Sequence, residues 1–89
     1  MRTSNTFSQE SHQRHTPLYQ EVQTAVENYL SHLNGEQPTN MYEIFLSEFE
    51  KPLLTHIMKH TRNNQSKAAQ MLGLNRGTLR TKLKTHGLL

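Results

Sequence analysis

Between residues 65 and 86 the apolar residues are few, but their order leaves little choice of fold. Ala68 and Ala69 are followed by Leu72, Gly73 and Leu74, and Leu79 and Leu83 then stand one helical turn apart. Gln65 to Leu72 reads as about two turns of helix, Gly73-Leu74-Asn75 interrupts it, and Arg76 to about His86 resumes as a second helix with Leu79 and Leu83 on its inner face. Two helices joined so tightly must cross closely. Ala69 is small enough to let them touch, Gly73 four residues later lets the backbone turn, and Ala68, Leu72, Leu74, Leu79 and Leu83 supply a shared core. That combination is the register of a helix-turn-helix.

Charge is distributed just as unevenly. The formal net charge is only +3, yet all seven acidic residues are glutamates at or before Glu50. Lys51, Lys59, Arg62, Lys67, Arg76, Arg80, Lys82 and Lys84 follow with no acid among them. A solvated charged face accounts for a short lysine run but not for so long an absence of acids. A half-chain of this kind carries the electrostatic footprint of a polyanion binder.

With Leu79 and Leu83 turned inward, the outer surface of the last helix carries Asn75, Arg76, Thr78, Arg80, Thr81, Lys82, Lys84 and Thr85. In a helix-turn-helix the N-terminal tip of the second helix reaches base edges. Arg there takes guanine O6 and N7 in a bidentate contact, and Asn takes adenine. Asn75 and Arg76 are therefore the candidates for base contact. Thr78, Arg80, Thr81, Lys82 and Lys84 lie where phosphate or flanking contacts are expected, which position a protein without reading sequence. Asn64, Gln65 and Ser66 open the shorter helix, whose free N–H groups suit a phosphate, and Arg62 precedes them as a further phosphate partner.

The first half of the chain reads as scaffold. Residues 1–15 are polar, with Phe7 the one large apolar group, and are expected to be a mobile tail. Thr16 and Pro17 suit the N-cap and first position of a helix whose stripe is Leu18, Val22, Ala25, Val26, Tyr29, Leu30 and Leu33, with Asn34-Gly35 as its stop. Asn40 and Glu43 match a capping box for a second, longer helix. Its apolar residues, from Met41 to Met58, occupy more than one face, which one amphipathic neighbour cannot cover but a second copy of the chain can. Leu30, Phe45, Phe49, Leu53 and Ile57 are assigned to that dimer core. Pro52 falls within the pattern, and because the stripe continues through Leu53 and Ile57 a kink near Glu48 to Pro52 is expected rather than a break. The expected fold is thus all-α with four helices. Residues 16–61 form the dimerisation helices and 62–89 the helix-turn-helix, within one compact domain.

Other chemistry finds little to build on. The 89 residues include no cysteine, which removes disulfides, thiolate catalysis and zinc-thiolate sites and leaves a reducing compartment as the default. No apolar run approaches a membrane span and the opening residues lack the apolar core of a signal peptide, so a cytoplasmic protein is expected. His56 and His60 stand four apart on the second helix but lack an evident third metal ligand, and His12 and His15 belong to the tail. With no aspartate and every glutamate in the scaffold, neither an enzyme nor a cofactor or metal site is expected.

From NYLSHLNG through YEIFLSEFEKPLL to HTRNNQSKAAQMLGLNRGTLRTKLKTHGL, about residues 17 to 89, the sequence resembles the Fis family, the factor for inversion stimulation of bacteria. Its most specific part is TRNNQSKAAQMLGLNRGTLRTKLK, of which the stretch around GLNRGTLR also occurs in nitrogen-regulator-type activators. The resemblance implies a homodimer whose first two helices intertwine as a central bundle with the helix-turn-helix units projecting at one end. It implies a nucleoid-associated regulator that bends DNA, activates or represses promoters and assists site-specific recombinases, with double-stranded DNA, a second copy, and RNA polymerase or a DNA recombinase as partners. Recognition helices in this family sit closer together than one turn of DNA, so the duplex must bend to meet both, and sequence is read partly as deformability. By resemblance Asn75 and Arg76 correspond to base-contacting residues, and Arg62, Asn64, Ser66, Thr78, Arg80, Lys82 and Lys84 to positions that touch backbone or flanking DNA. Thr81 and Thr85 depart from the lysines usual there, which implies weaker flanking contact. Residues 1–16 lack the alternating strand pattern of the family's recombinase-contacting arm.

Two other functions fit parts of the pattern. One is a stand-alone output domain of a nitrogen-regulator-type activator, although the chain opens on Met and carries no ATPase or receiver segment. The other is a helical dimer acting as a protein-interaction adaptor, its helix-turn-helix being packing alone. Salt-dependent DNA affinity separates the adaptor from a DNA binder.

Overall fold

A computed structural model describes residues 16–89. The expected mobile tail, 1–15, lies outside the described residues. Those described form four helices and no strand: α1 (Pro17–Ser31), α2 (Met41–His60), α3 (Gln65–Leu72) and α4 (Arg76–Thr85). The fold is all-α. The chain divides into two compact units, one ending at Thr39 and the other Asn40–Leu89.

In the first unit, Thr16 adopts an extended backbone and its hydroxyl oxygen accepts the Tyr19 N–H at 3.1 Å, so the expected cap and Pro17 start α1. The helix ends earlier than the stripe suggests. The Ser31 hydroxyl donates to the Asn28 carbonyl at 2.9 Å, and the His32 ring nitrogen Nδ1 lies 2.7 Å from the same oxygen. These side chains occupy a carbonyl of the last turn, while Asn34 and Gly35 take left-handed conformations just beyond the helix. No residue of α1 is buried, and Leu18, Val22 and Leu30 are exposed along it.

In the second unit α2 runs unbroken through Pro52, whose missing N–H leaves the Glu48 carbonyl without its helical donor. The capping box expected at its start does not form. Asn40 has φ 56° and ψ 23°, and its side chain makes no capping bond. A capping side chain needs the extended backbone seen at Thr16, Asn64 and Asn75, whereas the left-handed region, which asparagine tolerates, carries the amide away from the helix end.

Three helix ends of this unit close in one way. The Asn63 N–H bonds to the Met58 carbonyl and the Arg62 N–H to the Lys59 carbonyl, at 2.8 and 3.1 Å. Leu74 and Gly73 repeat the pair of bonds on Ala69 and Gln70, and Leu88 and Gly87 repeat it on Leu83 and Lys84. This double closure needs a left-handed residue just past the helix. Glycine fills that place at Gly73 and Gly87, but after α2 it is taken by Arg62 with φ 55°. Buried Thr61 braces that end, its hydroxyl donating to the Ile57 carbonyl at 2.9 Å.

The core sits where the three helices meet. Leu54 and Met58 of α2, Ala68 and Ala69 of α3, and Leu79 and Leu83 of α4 are buried together, with Ile57, Leu72 and Leu88 packed against them. Ala68 and Leu79 are both 0% exposed, so the interface holds no room for a longer side chain at residue 68. Two members escape the sequence reading: Leu54 and Met58 are not distinguished there from the rest of an apolar helix, and they tie α2 to the helix-turn-helix. Ile57, expected at a dimer core, lies against this cluster. Of the other apolar residues of α2, Tyr42 is 75% exposed and Ile44, Phe49 and Leu53 are also exposed. Phe45 is half-buried.

Candidate nucleic-acid interface

Two asparagines set the entry to each helix of the pair. Asn64 and Asn75 are extended, and each turns its side-chain oxygen onto a backbone N–H three residues ahead, Lys67 at 3.0 Å and Thr78 at 2.8 Å. This fixes the tip of α4 and refines what Asn75 can do there. Its amide oxygen is engaged inside the helix, which leaves the side-chain NH2 as the group free to donate outward. Arg76 follows as the first helical residue and is exposed.

The remaining candidate residues fall into distinct states. Arg62, Asn64, Ser66, Thr81 and Lys84 are exposed, and Gln65 and Thr78 are half-buried. Arg80 is exposed but reaches across the helix pair, its guanidinium donating to the Gln65 side-chain oxygen at 3.1 Å. That bond brings the start of α3 and the middle of α4 together on one side. The Thr85 hydroxyl is turned onto its own helix, donating to the Thr81 carbonyl at 2.9 Å. Asn75, Gly77, Thr78, Thr81 and Lys82 line one open depression on α4.

Lys82 differs from the expectation. Instead of standing free on the outer surface it is half-buried, with its ammonium 2.6 Å from the Glu50 carboxylate of α2. The other oxygen of that carboxylate lies 3.0 Å from the ring nitrogen Nε2 of His86, whose side chain is only 5% exposed. Glu50 thus clamps two residues of the last helix and its cap onto α2. Neither Glu50 nor His86 is evident from sequence, because they lie 32 and 36 residues from their partners Lys82 and Glu50, and no local spacing reports such a pair. The one hint is that Glu50 is the last acid before the basic stretch. Arg62, Lys67, Arg76 and Lys84, by contrast, have no ion-pair partner among the described residues.

The hydrogen bond from Lys82, and then that from His86, holds the Glu50 carboxyl below the usual carboxylate range, against the opposing effect of burial. A group lowered in this way stabilises the folded state above its unfolded value and ceases to do so as pH falls through its folded value. The second unit should therefore lose melting temperature as pH drops below the ordinary glutamate range. Glu50→Gln should melt roughly 5 °C lower at pH 7 and converge with the parent in acid. Parallel curves of melting temperature against pH would contradict this role.

His56 and His60 are both exposed, and no group of three or more potential metal ligands occurs among the described residues. No helix among them is long and apolar enough to cross a membrane.

Comparison with known proteins places this arrangement. The family described as bacterial regulatory protein, Fis family, matches residues 45–86, and the DNA-binding protein Fis N-terminal domain matches residues 1–38. The second match extends the resemblance over residues 1–16, beyond the span the sequence motifs carry. Proteins named DNA-binding protein Fis from Haemophilus ducreyi and Mannheimia haemolytica are each 51% identical over 86 residues, covering 97% of this chain and 88% of their own length. That from Psychromonas ingrahamii is 57% identical over 72 residues, covering 81% of this chain and 73% of its own. Identity at half of the positions in an alignment that covers 97% of the chain, with family matches over residues 1–38 and 45–86, makes the chain a member of the Fis family.

Proposed function

We propose that this protein is a homodimeric, DNA-bending, nucleoid-associated transcription regulator of the bacterial cytoplasm, with no catalytic activity of its own. The observation that carries the DNA-binding reading is the exterior of α3 and α4. A tightly packed helix-turn-helix presents Arg62, Arg76 and Lys84 with no ion-pair partner among the described residues, in a half-chain whose acids end at Glu50. Relatives that share half of its sequence carry the name DNA-binding protein.

Arg76 is assigned to base readout, and Asn75 contributes through its outward NH2. Arg62, Asn64, Ser66, Thr78, Thr81 and Lys84 are assigned to backbone or flanking DNA. Gln65 and Arg80 act there as a bonded pair. Lys82 contributes least, because Glu50 already neutralises it.

The pairing of two chains is supported by what one chain leaves uncovered. α1 buries no residue, and Phe49 and Leu53 of α2 are exposed although each is large and apolar. A 89-residue chain with so small a core gains stability from covering such surface. In this division of labour residues 16–61 pair the chains and 62–89 bind DNA, with Leu54 and Met58 of α2 serving the second task. RNA polymerase and a site-specific recombinase are the protein partners that the family resemblance suggests.

The test is duplex binding followed across salt concentration, with sedimentation on the same samples. Affinity should fall steeply with salt, in proportion to the phosphates neutralised, and the protein should sediment as a dimer at micromolar concentration. Weak attraction alike for DNA and any polyanion would favour a protein adaptor, and a monomer would remove the paired reader.

A further inference from the structure

Gly77 is a glycine for which the chain itself shows no need. It is the second residue of α4, and unlike Gly35, Gly73 and Gly87 it does not have a positive φ. A Cβ placed on it would meet only the Asn75 side-chain oxygen, at 3.5 Å, which is ordinary van der Waals contact. Backbone conformation therefore tolerates a side chain here, and so does packing within the protein. Glycine in a helix is also less favourable than alanine, because more backbone freedom is lost on folding. What would suffer from a methyl group lies outside the chain.

The position of Gly77 says where. It stands between Arg76 and Thr78 and lines the open depression shared with Asn75, Thr78, Thr81 and Lys82. Arg76, Arg80 and Lys84 give the exterior of α4 positive charge and no negative one, while Lys82 is paired with Glu50. Resting on the DNA-binding reading, we propose that Gly77 is a DNA-contact residue by absence: a strand of duplex DNA comes to van der Waals contact with its bare Cα. Any side chain at residue 77 would hold the duplex away from the neighbouring groups. The clearance it provides lets Arg76 on one side and Thr78 on the other engage together.

Gly77→Ala and Gly77→Leu test this, since both add volume without altering charge and both favour helix. The full-length variants are compared with the parent by circular-dichroism melting and by affinity for the parent's best duplex at one salt concentration. Gly77→Ala should melt at the parent's temperature or a few degrees higher, yet bind about tenfold more weakly, and Gly77→Leu should bind more weakly still. Binding by Gly77→Ala within about twofold of the parent would overturn the inference while leaving DNA binding intact. A melting temperature lowered by more than about 5 °C would overturn it too, because the fold itself would then need the glycine. Failure of the parent to bind duplex DNA would instead strike the reading on which the inference rests.

Discussion

Leu79→Ala is expected to lower the melting temperature of the helix-turn-helix by about 15 °C or more and to abolish duplex binding at the temperatures in between. Leu79 is 0% exposed and, with Leu54 and Leu83, is one of the three large side chains that are fully buried among the described residues. Its neighbours Leu54, Met58, Leu83, Ala68 and Ala69 are themselves buried side by side with Ile57, Leu72 and Leu88 against them, so each is held in place by other contacts and the vacated space stays largely open. Removing a buried leucine side chain costs roughly 2–5 kcal/mol, a large share of the ~5–15 kcal/mol that holds a whole domain together. Circular dichroism at 222 nm measures the melting, and binding above and below the new transition separates lost fold from lost contact. A drop smaller than about 5 °C would mean that surface outside this core, such as the apolar residues assigned to pairing, carries most of the stability.

What was readable from the chain follows the distance over which each feature is encoded. The bounds of α3 agree with the sequence reading, and those of α4 agree to within one residue, because their signals are local. Asn64 and Asn75 each bond three residues ahead, and Gly73 supplies a conformation that other residues resist. Where a residue departs from the common chemistry, the reading departs too. Asn40 looks like a cap but occupies the left-handed region, and Arg62 takes a closing conformation in which glycine would be expected.

Features that join distant residues were not readable. The Glu50 clamp spans 32 residues to Lys82, so by sequence Lys82 reads as one more free cation. The apolar pattern of α2 showed that more than one face needs cover, but not that Leu54 and Met58 face α3 and α4 while Phe49 and Leu53 face outward. Periodicity marks a face as apolar without saying what lies against it. Gly77 gave no signal, because its meaning lies in contacts that the structure shows it does not make.

Arg76→Ala should separate reading from sticking. Arg76 is the exposed first residue of a helix whose entry is fixed by Asn75, and its guanidinium has no ion-pair partner among the described residues. A bidentate Arg–guanine contact is worth roughly 1–3 kcal/mol of discrimination against the wrong base, so preferred duplexes should lose about 5- to 150-fold in affinity. Unrelated duplexes should lose much less, since there Arg76 offers only one charge, and the salt slope should change by about one at most. Lys84→Ala supplies the contrast: a lone exposed cation near the end of α4 should weaken all duplexes alike. Selection from a pool of randomised duplexes shows the difference directly, the sequence preference flattening at one base pair per half-site for Arg76→Ala and persisting for Lys84→Ala. If Arg76→Ala kept the parent's preference and lost only affinity, base readout would have to be reassigned from Arg76 to Asn75 and the deformability of the duplex. Gly77 would then provide clearance for phosphate contacts alone.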